Sequence, residues 1–145
     1  MYWLIVERPQ NWQFDKQNGF KSFGIPRTKT KMASEIKKGD KLIVYISGGV
    51  SCISDLRTVE SDELVKQKGI GGYDDIFPLA ILTKPTITLP KENWISIKQF
   101  VTELSITKEL KDWRQTFRQA IRRITDEDGE LIVKKMKEVI QNNTI

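Results

Sequence analysis

Residues 19–31, GFKSFGIPRTKTK, place two aromatic rings next to a run of positive charge. Phe20 and Phe23 come first, and a glycine and a proline then predict a bend. The cations that follow, at every second position, are Arg27, Lys29 and Lys31. An aromatic ring can stack on a nucleobase, and cations can neutralise phosphates. The stretch therefore predicts a pocket for a flat ring beside a path for a phosphate backbone, with the three cations on one side of an extended segment.

A second set of cations recurs every four residues within residues 113–124. Its members are Arg114, Arg118 and Arg122. If this segment is helical, the arginines form one basic stripe, because residues four apart share a helix face. Such a stripe is either a further contact for phosphates or an ordinary solvated face.

The residue types most often used in catalysis and metal binding are scarce. The chain has no histidine and a single cysteine, Cys52. It therefore lacks the commonest general base and cannot assemble a thiolate zinc site. The glycine-rich segment GIGGYDD, at residues 69–75, lacks the lysine and hydroxyl residue of a phosphate-binding loop. These features predict no catalytic residues, no metal and no cofactor.

Length and composition indicate one globular domain over residues 1–145, with 39% hydrophobic and 30% charged residues. The net charge of +5 favours an anionic partner, although many basic proteins bind no polyanion. No apolar run approaches the roughly 20 residues that a membrane helix needs. The N-terminal residues lack the pattern of a secretory signal, and a lone cysteine fits a reducing compartment. We therefore expect a cytoplasmic protein without membrane contact.

Apolar segments predict strands in the first two thirds of the chain, at residues 2–6, 42–46 and 50–59. The first of them is expected to be buried on both faces and to end at Pro9, after which Asn11 and Trp12 are expected to open a short connection. Gly48 and Gly49 predict a tight hairpin between the second and third strands. Residues 76–82 and the alternating segment from Pro85 predict further strands after a long polar loop.

The last third of the chain predicts helices. Ser96 with Gln99, and Thr125 with Asp128, each make a capping box. The second box opens a C-terminal helix whose apolar residues share one face. Strands followed by helices indicate an α+β domain with a curled, mostly antiparallel sheet.

Five short segments stand in an order that is typical of one family. They are YWLIVERPQNW at the N-terminus, FGIP at 23–26, KKGDKLIVYIS at 37–47, DDIFPLAI at 74–81 and FRQAIRRITDED at 117–128. Together they resemble the EVE domain of the PUA-like superfamily, which also includes the YTH readers of methylated adenine in RNA. The resemblance implies a curled mixed sheet or partial barrel flanked by helices. It also implies a pocket that accepts one flipped-out nucleobase, often a modified one.

The resemblance further implies which residues form that pocket. They are Glu7, Arg8, Pro9, Trp12, Phe23, Gly24, Ile25, Ser47 and Tyr73. Phe23 and Tyr73 would sandwich the base, while Glu7, Ser47 and main-chain groups near Gly24 would contact its edge. Two positions depart from the family pattern. Glu7 and Arg8 replace a hydroxyl residue followed by an acid or amide, and Ala80 replaces a frequent arginine.

The favoured hypothesis is a non-enzymatic module that binds DNA or RNA carrying a modified base, with other nucleic-acid-processing proteins as further candidate partners. One alternative is a protein that binds a ring-containing metabolite or a free nucleoside but no polynucleotide. A second alternative is a nucleic-acid-modifying enzyme, which the absence of histidine disfavours.

Overall fold

The computed structural model describes residues 1–66 and 79–142, which form a curled sheet surrounded by helices. The strands are β1 (Tyr2–Glu7), β2 (Ser22–Ile25), β3 (Lys41–Ile46), β4 (Cys52–Val59), β5 (Val65–Lys66), β6 (Leu79–Thr88), β7 (Ile95–Ser96) and β8 (Ile121–Ile124). The α-helices are α1 (Pro9–Gln17), α2 (Thr30–Ala33) and α3 (Asp126–Asn142). Short 3₁₀ segments cover Arg27–Lys29, Lys91–Asn93, Ile97–Gln99 and Trp113–Arg118.

The main path of the sheet runs β2-β6-β4-β3-β1-β8, with β5 added to β6 and β7 added to β4. Among the described strands, β1 and β3 are parallel and the remaining pairs are antiparallel. The sheet curls into a half-barrel whose path ends at β2 on one side and β8 on the other. These features confirm the predicted α+β class, the curled mixed sheet and the C-terminal helix.

Both faces of β1 are buried, as its continuous apolar sequence predicts. Leu4 packs in a core that includes Met136 of α3, here called the α3 core. Trp3 and Ile5 pack in a second core that includes Trp12 of α1, here called the α1 core. Because side chains alternate along a strand, Glu7 lies on the same face of β1 as Trp3 and Ile5. A carboxylate is thereby directed toward the α1 core.

A hairpin joins β3 and β4 as predicted, but its connection comprises residues 47–51 rather than a tight two-residue turn at Gly48 and Gly49, because Ile46 pairs with Cys52. Gly48 and Gly49 have φ values of 72° and 90°, a region that side chains with a Cβ atom rarely occupy. The two segments predicted after the long loop form one strand, β6, and residues 76–78 lie outside the described residues. Pro85 is tolerated within β6 because it pairs with Arg57 where the register shifts.

The connection predicted after Pro9 is wrong, because residues 9–17 form α1 with Pro9 as the first helical residue. Proline suits that position, since its fixed φ is helical and the first turn needs no amide donor. The capping box at Ser96 does not open a long helix. Ser96 instead caps one 3₁₀ turn by accepting a hydrogen bond from the amide of Lys98.

Neither predicted row of cations forms as expected. Arg114 and Arg118 lie in a 3₁₀ segment and Arg122 lies on β8, so they do not share one helical stripe. Arg27 and Lys29 lie in a 3₁₀ turn, and α2 follows directly. An extended segment with cations on one side is therefore not formed, because three residues make a full 3₁₀ turn.

The C-terminal helix α3 begins as its sequence predicts. The hydroxyl of Thr125 accepts a hydrogen bond from the amide of Asp128 at 3.1 Å, and acidic residues occupy the first turn. Ile132, Val133 and Met136 bury one face against the sheet. Within the described residues, no helix combines the length and apolar character needed to cross a membrane.

Gly129 sets how closely α3 approaches β1. A Cβ atom at this position would overlap the ring of Tyr2. The ring therefore occupies the space that any other residue at position 129 would need.

We predict that Gly129→Ala lowers the free energy of unfolding by about 1–3 kcal/mol, because overpacking forces the ring or the helix to shift. The sign of this change is informative, because replacing glycine by alanine within a helix otherwise raises the free energy of unfolding by about 1 kcal/mol. Urea unfolding measures the change. When Tyr2 is already alanine, the same substitution at 129 is expected to stabilise. An alanine at 129 that stabilises the chain with Tyr2 intact would contradict this packing.

Candidate functional site

A cavity of about 620 Å³ opens between the two ends of the sheet path. It lies among the end of β1, helix α1, strand β2 and the segment that precedes β8. Its lining residues are Val6, Glu7, Arg8, Gln10, Asn11, Phe14, Asp15, Phe23, Gly24, Pro26, Ser47, Phe117, Arg118 and Ala120. This volume falls within the roughly 300–1,000 Å³ of small-molecule sites.

The cavity brings together several of the residues that were predicted to form the pocket. Glu7, Arg8, Phe23, Gly24 and Ser47 all line it. Ser47 uses both its amide and its hydroxyl to donate to the carbonyl of Glu7, at 2.8 and 3.2 Å. The Ser47 hydroxyl is thus committed to holding the end of β1 in place.

Other nominated pocket residues lie elsewhere. Pro9 is exposed at the start of α1 and is not part of the lining. Ile25 is fully buried in the α1 core. Trp12 is also buried, and its indole nitrogen donates to Asp55 at 2.9 Å. Tyr73 lies outside the described residues.

Of the residues predicted to contact phosphates, one lines the cavity and the others do not. Arg118 lines the cavity, and its side chain is 71% exposed. The remaining candidates do not line it: Arg27, Lys29, Lys31, Arg114 and Arg122. Arg114 stacks over the ring of Trp113 at 4.8 Å instead. Arg8, which the sequence assigns to the pocket, is a second exposed cation in the lining.

The floor of the cavity rests on a buried ionic cluster that the sequence does not reveal. Arg57, on β4, has no exposed side-chain surface. It donates to Asp55 at 2.7 Å, to Asp15 at 2.9 Å and to Glu7 at 3.2 Å. Of these groups, Glu7 and Asp15 line the cavity, whereas Arg57 and Asp55 lie behind them.

This cluster, here called the Arg57 cluster, carries more negative than positive charge. Burial raises the pKa of Glu7 well above its ordinary value, Arg57 opposes this rise, and the Asp15 and Asp55 carboxylates add to it. Burial acts to lower the pKa of Arg57, but the carboxyl groups of Asp55, Glu7 and Asp15 raise it overall. Arg57 therefore remains charged, and the ionised form of Glu7 is disfavoured.

Two polar atoms of the cluster lack a partner among the described residues. They are Oε2 of Glu7 and Nη2 of Arg57, both buried. The Asp15 carboxyl is close enough to Glu7 to share a proton with it. Without that proton, Oε2 of Glu7 is an acceptor with no donor, which is uncommon for a buried polar atom.

The local sequence explains how the cluster assembles. Asp55 and Arg57 are two apart on β4, so both face the same side of the sheet. Trp12 and Asp15 are three apart on α1, so they share a helix face. Helix α1 therefore delivers one hydrogen bond to Asp55 and one carboxylate to Arg57. The sequence of β4 places Asp55 and Arg57 on one face of the strand, but it does not show whether that face is buried.

Three phenylalanines give the cavity aromatic walls. Phe23 comes from β2, but only 5% of its surface is exposed, since it also packs in the α1 core. Phe117 is held by stacking on Tyr45, with ring centroids 4.2 Å apart. Phe14, on α1, is half-buried. Phe14 was not predicted in the lining because the residues after Pro9 were expected to form a connection, and Phe117 was not predicted because residues 113–124 were considered as a helix.

Strand β2 also presents its main chain to the cavity. The amide of Thr83 donates to the carbonyl of Lys21, which marks these residues as a hydrogen-bonded antiparallel pair. The bonded pairs alternate, so Phe23 bonds to Ile81 while the amide and carbonyl of Gly24 point away from β6. Gly24 therefore offers one donor and one acceptor at the open edge of the sheet.

The arrangement suits a flat ring with an attached anion. Aromatic walls can cover the faces of a ring, the floor offers hydrogen-bond acceptors, and Arg8 and Arg118 supply positive charge in the lining. Within residues 1–66 and 79–142, no group of three His, Cys, Asp or Glu side chains is placed to hold a metal ion.

The chain is similar in sequence to one described family and to archaeal proteins. The family model of the EVE domain matches residues 1–135. UPF0310 protein PH1033 of Pyrococcus horikoshii is 24% identical over 148 residues, covering 92% of this chain and 97% of the relative.

Solved structures with low sequence identity share the fold. Rpa0253 from Rhodopseudomonas palustris aligns with a TM-score of 0.65 and 17% identity, covering 94% of this chain and 93% of that one. The YTH domain of the Zygosaccharomyces rouxii MRB1 protein, in complex with N6-methyladenosine RNA, aligns with a TM-score of 0.68 and 11% identity. That alignment covers 94% of this chain and 87% of the YTH chain.

We predict that Arg57→Met lowers the free energy of unfolding by about 3–5 kcal/mol, because it leaves buried carboxylates without their cation. The exposed Arg123 provides a matched control, and Arg123→Met is expected to change stability by less than about 0.5 kcal/mol. Chemical denaturation measures both. Equal effects of the two substitutions would contradict a central role for Arg57.

We also predict that the free energy of unfolding depends on pH through Glu7, and that Glu7→Gln removes this dependence. The pKa of Glu7 is higher in the folded state than in the unfolded state, where it is about 4.3. The contribution of Glu7 to the free energy of unfolding is therefore fully present below about pH 4.3, and it is lost as the pH rises through the pKa of the folded state. The stability of the wild type relative to Glu7→Gln should therefore fall as pH increases above about 4. Urea unfolding across that range tests the sign, and a difference that grows with pH would contradict it.

Proposed function

This chain belongs to the EVE domain family, and on that premise we propose that it is a non-enzymatic module that accepts a single, modified nucleobase of DNA or RNA. The base enters the cavity between β1, α1, β2 and the segment before β8. The observation that carries the proposal is the cavity itself, which combines aromatic walls, a polar floor and exposed arginines. A fold neighbour, the YTH domain of MRB1, forms a complex with N6-methyladenosine RNA.

Affinity for the base comes from stacking of its flat faces on aromatic side chains. Stacking one base on an aromatic side chain contributes about 1–3 kcal/mol and tolerates any base. Phe14 is the best candidate for this contact, since it is half-buried whereas Phe23 and Phe117 are 5% and 6% exposed. Extracting a base from a duplex costs a few kcal/mol, so a single strand is the easier target.

Affinity for the strand comes from the arginines in the cavity lining. Arg118 has only a weak ion pair, with Asp112 at 3.8 Å, which a phosphate can replace at little cost. Arg8 is exposed at the start of α1. Arg118, one of the predicted phosphate contacts, and Arg8 are therefore the proposed principal phosphate contacts, since both line the cavity.

The acidic residues of the cavity serve binding rather than catalysis. Glu7 and Asp15 both contact Arg57, so neither is placed as an independent acid or base. The chain contains no histidine to assist them. A modification on the base then changes only affinity, with about 0.8 kcal/mol for each methyl group that is buried.

We predict that single-stranded oligonucleotides bind with an affinity that falls steeply with salt. Each phosphate contact contributes about 0.7 to the logarithmic salt slope for single strands. Arg8→Gln and Arg118→Gln should each reduce the slope by about that amount, and Arg123→Gln, an exposed arginine outside the lining, should not. Phe14→Ala should weaken binding by about fivefold or more at every salt concentration. Fluorescence anisotropy measures all four variants.

Two outcomes would contradict the proposal. One is the absence of binding to any oligonucleotide, modified or not. The other is a free nucleoside that binds as tightly as an oligonucleotide with no dependence on salt, which would identify a small-molecule site instead.

A further inference from the structure

We propose that Glu7, supported by Asp15, makes the cavity selective for bases with an exocyclic amino group on the recognised edge. Such bases include adenine and cytosine, whereas hypoxanthine and uracil carry a carbonyl at the same position. The inference rests on the proposed function and deepens it by naming the class of base that the cavity takes.

The first support is the unpaired oxygen of Glu7. The residue is only 4% exposed and lines the cavity. Its Oε1 atom accepts from Arg57, but Oε2 has no donor among the described residues. When Glu7 is ionised, Oε2 is therefore an unpaired buried acceptor, and a ligand N–H group that reaches it forms a hydrogen bond that the protein itself does not supply.

The second support is that the floor presents acceptors whether or not Glu7 is protonated. Glu7 and Asp15 both accept from Nη1 of Arg57, so the two carboxyl groups lie side by side, and a proton on Glu7 is directed toward Asp15 rather than toward a ligand. Arg57 holds Asp15 in place at 2.9 Å. The remaining lone pairs attract an amino group and repel a carbonyl oxygen.

The buried donor nearby does not reverse this preference. Nη2 of Arg57 also lacks a partner among the described residues. However, the Arg57 side chain has no exposed surface and is not part of the cavity lining. Glu7 and Asp15 lie between it and any ligand.

Strand β2 supplies the complementary groups for the rest of the ring. The main-chain amide of Gly24 points away from β6 at the open edge of the sheet. In adenine and cytosine a ring nitrogen that accepts a hydrogen bond adjoins the amino group. The amide of Gly24 can donate to that ring nitrogen, and the carboxyl group of Glu7 can accept from the amino group beside it.

The test uses short oligonucleotides whose positions are all abasic except one central base, so that no other base competes. Two matched pairs replace an amino group by a carbonyl: adenine with hypoxanthine, and cytosine with uracil. We expect the wild-type protein to bind the amino-bearing member of each pair about tenfold more tightly or better. A fully abasic oligonucleotide reports the contribution of phosphate contacts alone.

Glu7→Gln then tests the residue, because its side chain has the same shape but replaces one carboxyl oxygen by an amide NH₂ donor. We expect this variant to reduce the preference within each pair to about twofold or less, while Glu92→Gln, at an exposed acid, keeps it. Asp15→Asn is a second variant that should weaken the preference, and the unfolding midpoint of each variant verifies folding.

The outcomes separate this inference from the proposed function. Tight, base-dependent binding with no preference for amino-bearing bases would overturn the inference alone. A preference that persists in both Glu7→Gln and Asp15→Asn would also overturn it. Binding no stronger than that of the abasic oligonucleotide would overturn both.

Discussion

The buried guanidinium of Arg57 is the interaction on which the candidate site depends. It joins three carboxylates from β1, α1 and β4, and its planar array of donors can reach all of them at once. Removing these charges from water is costly, so such a cluster persists only where each member has partners. Arg57 also lies over the ring of Phe20, with its central carbon 4.8 Å from the ring centroid, which further fixes its position. The cation thereby holds α1 against the sheet and places two acids on the cavity floor.

The cavity exists because the sheet curls without closing. A closed barrel would pair β2 with β8 and leave no free main-chain edge. Here the two ends of the path remain apart, and small residues, Gly24 and Ala120, line the space between them. The carbonyl of Ala120 is already taken by the amide of Val6 at 2.9 Å, whereas Gly24 directs its polar groups toward the opening. The open edge therefore leaves main-chain groups available to a ligand beside a desolvated carboxyl group.

Sequence patterns predicted most of the scaffold and part of the site. Apolar runs located β1, β3 and β4, and paired glycines located the hairpin, because burial and positive φ leave clear signatures. Helix α1 was missed because Pro9 was assigned to the end of a strand rather than to a first helical turn. The Arg57 cluster escaped notice because nothing local distinguishes a strand arginine that faces water from one that faces buried carboxylates. The spacing of the arginines in residues 113–124 predicted a helix. The structure instead has a 3₁₀ segment followed by a strand, and Phe117 of that 3₁₀ segment stacks on Tyr45.

The most direct measurement is an NMR titration of the full chain with a single-stranded oligonucleotide, following backbone amides. If the cavity over the Arg57 cluster holds the base, the amides of Glu7, Asp15 and Gly24 should shift together, and those of Arg8 and Arg118 should follow. The groove between Glu103 and Lys134 provides an internal reference, because none of its lining residues lines the cavity. Shifts confined to that groove, or to exposed lysines while Glu7 and Gly24 stay unchanged, would contradict binding of a base between β1 and β2.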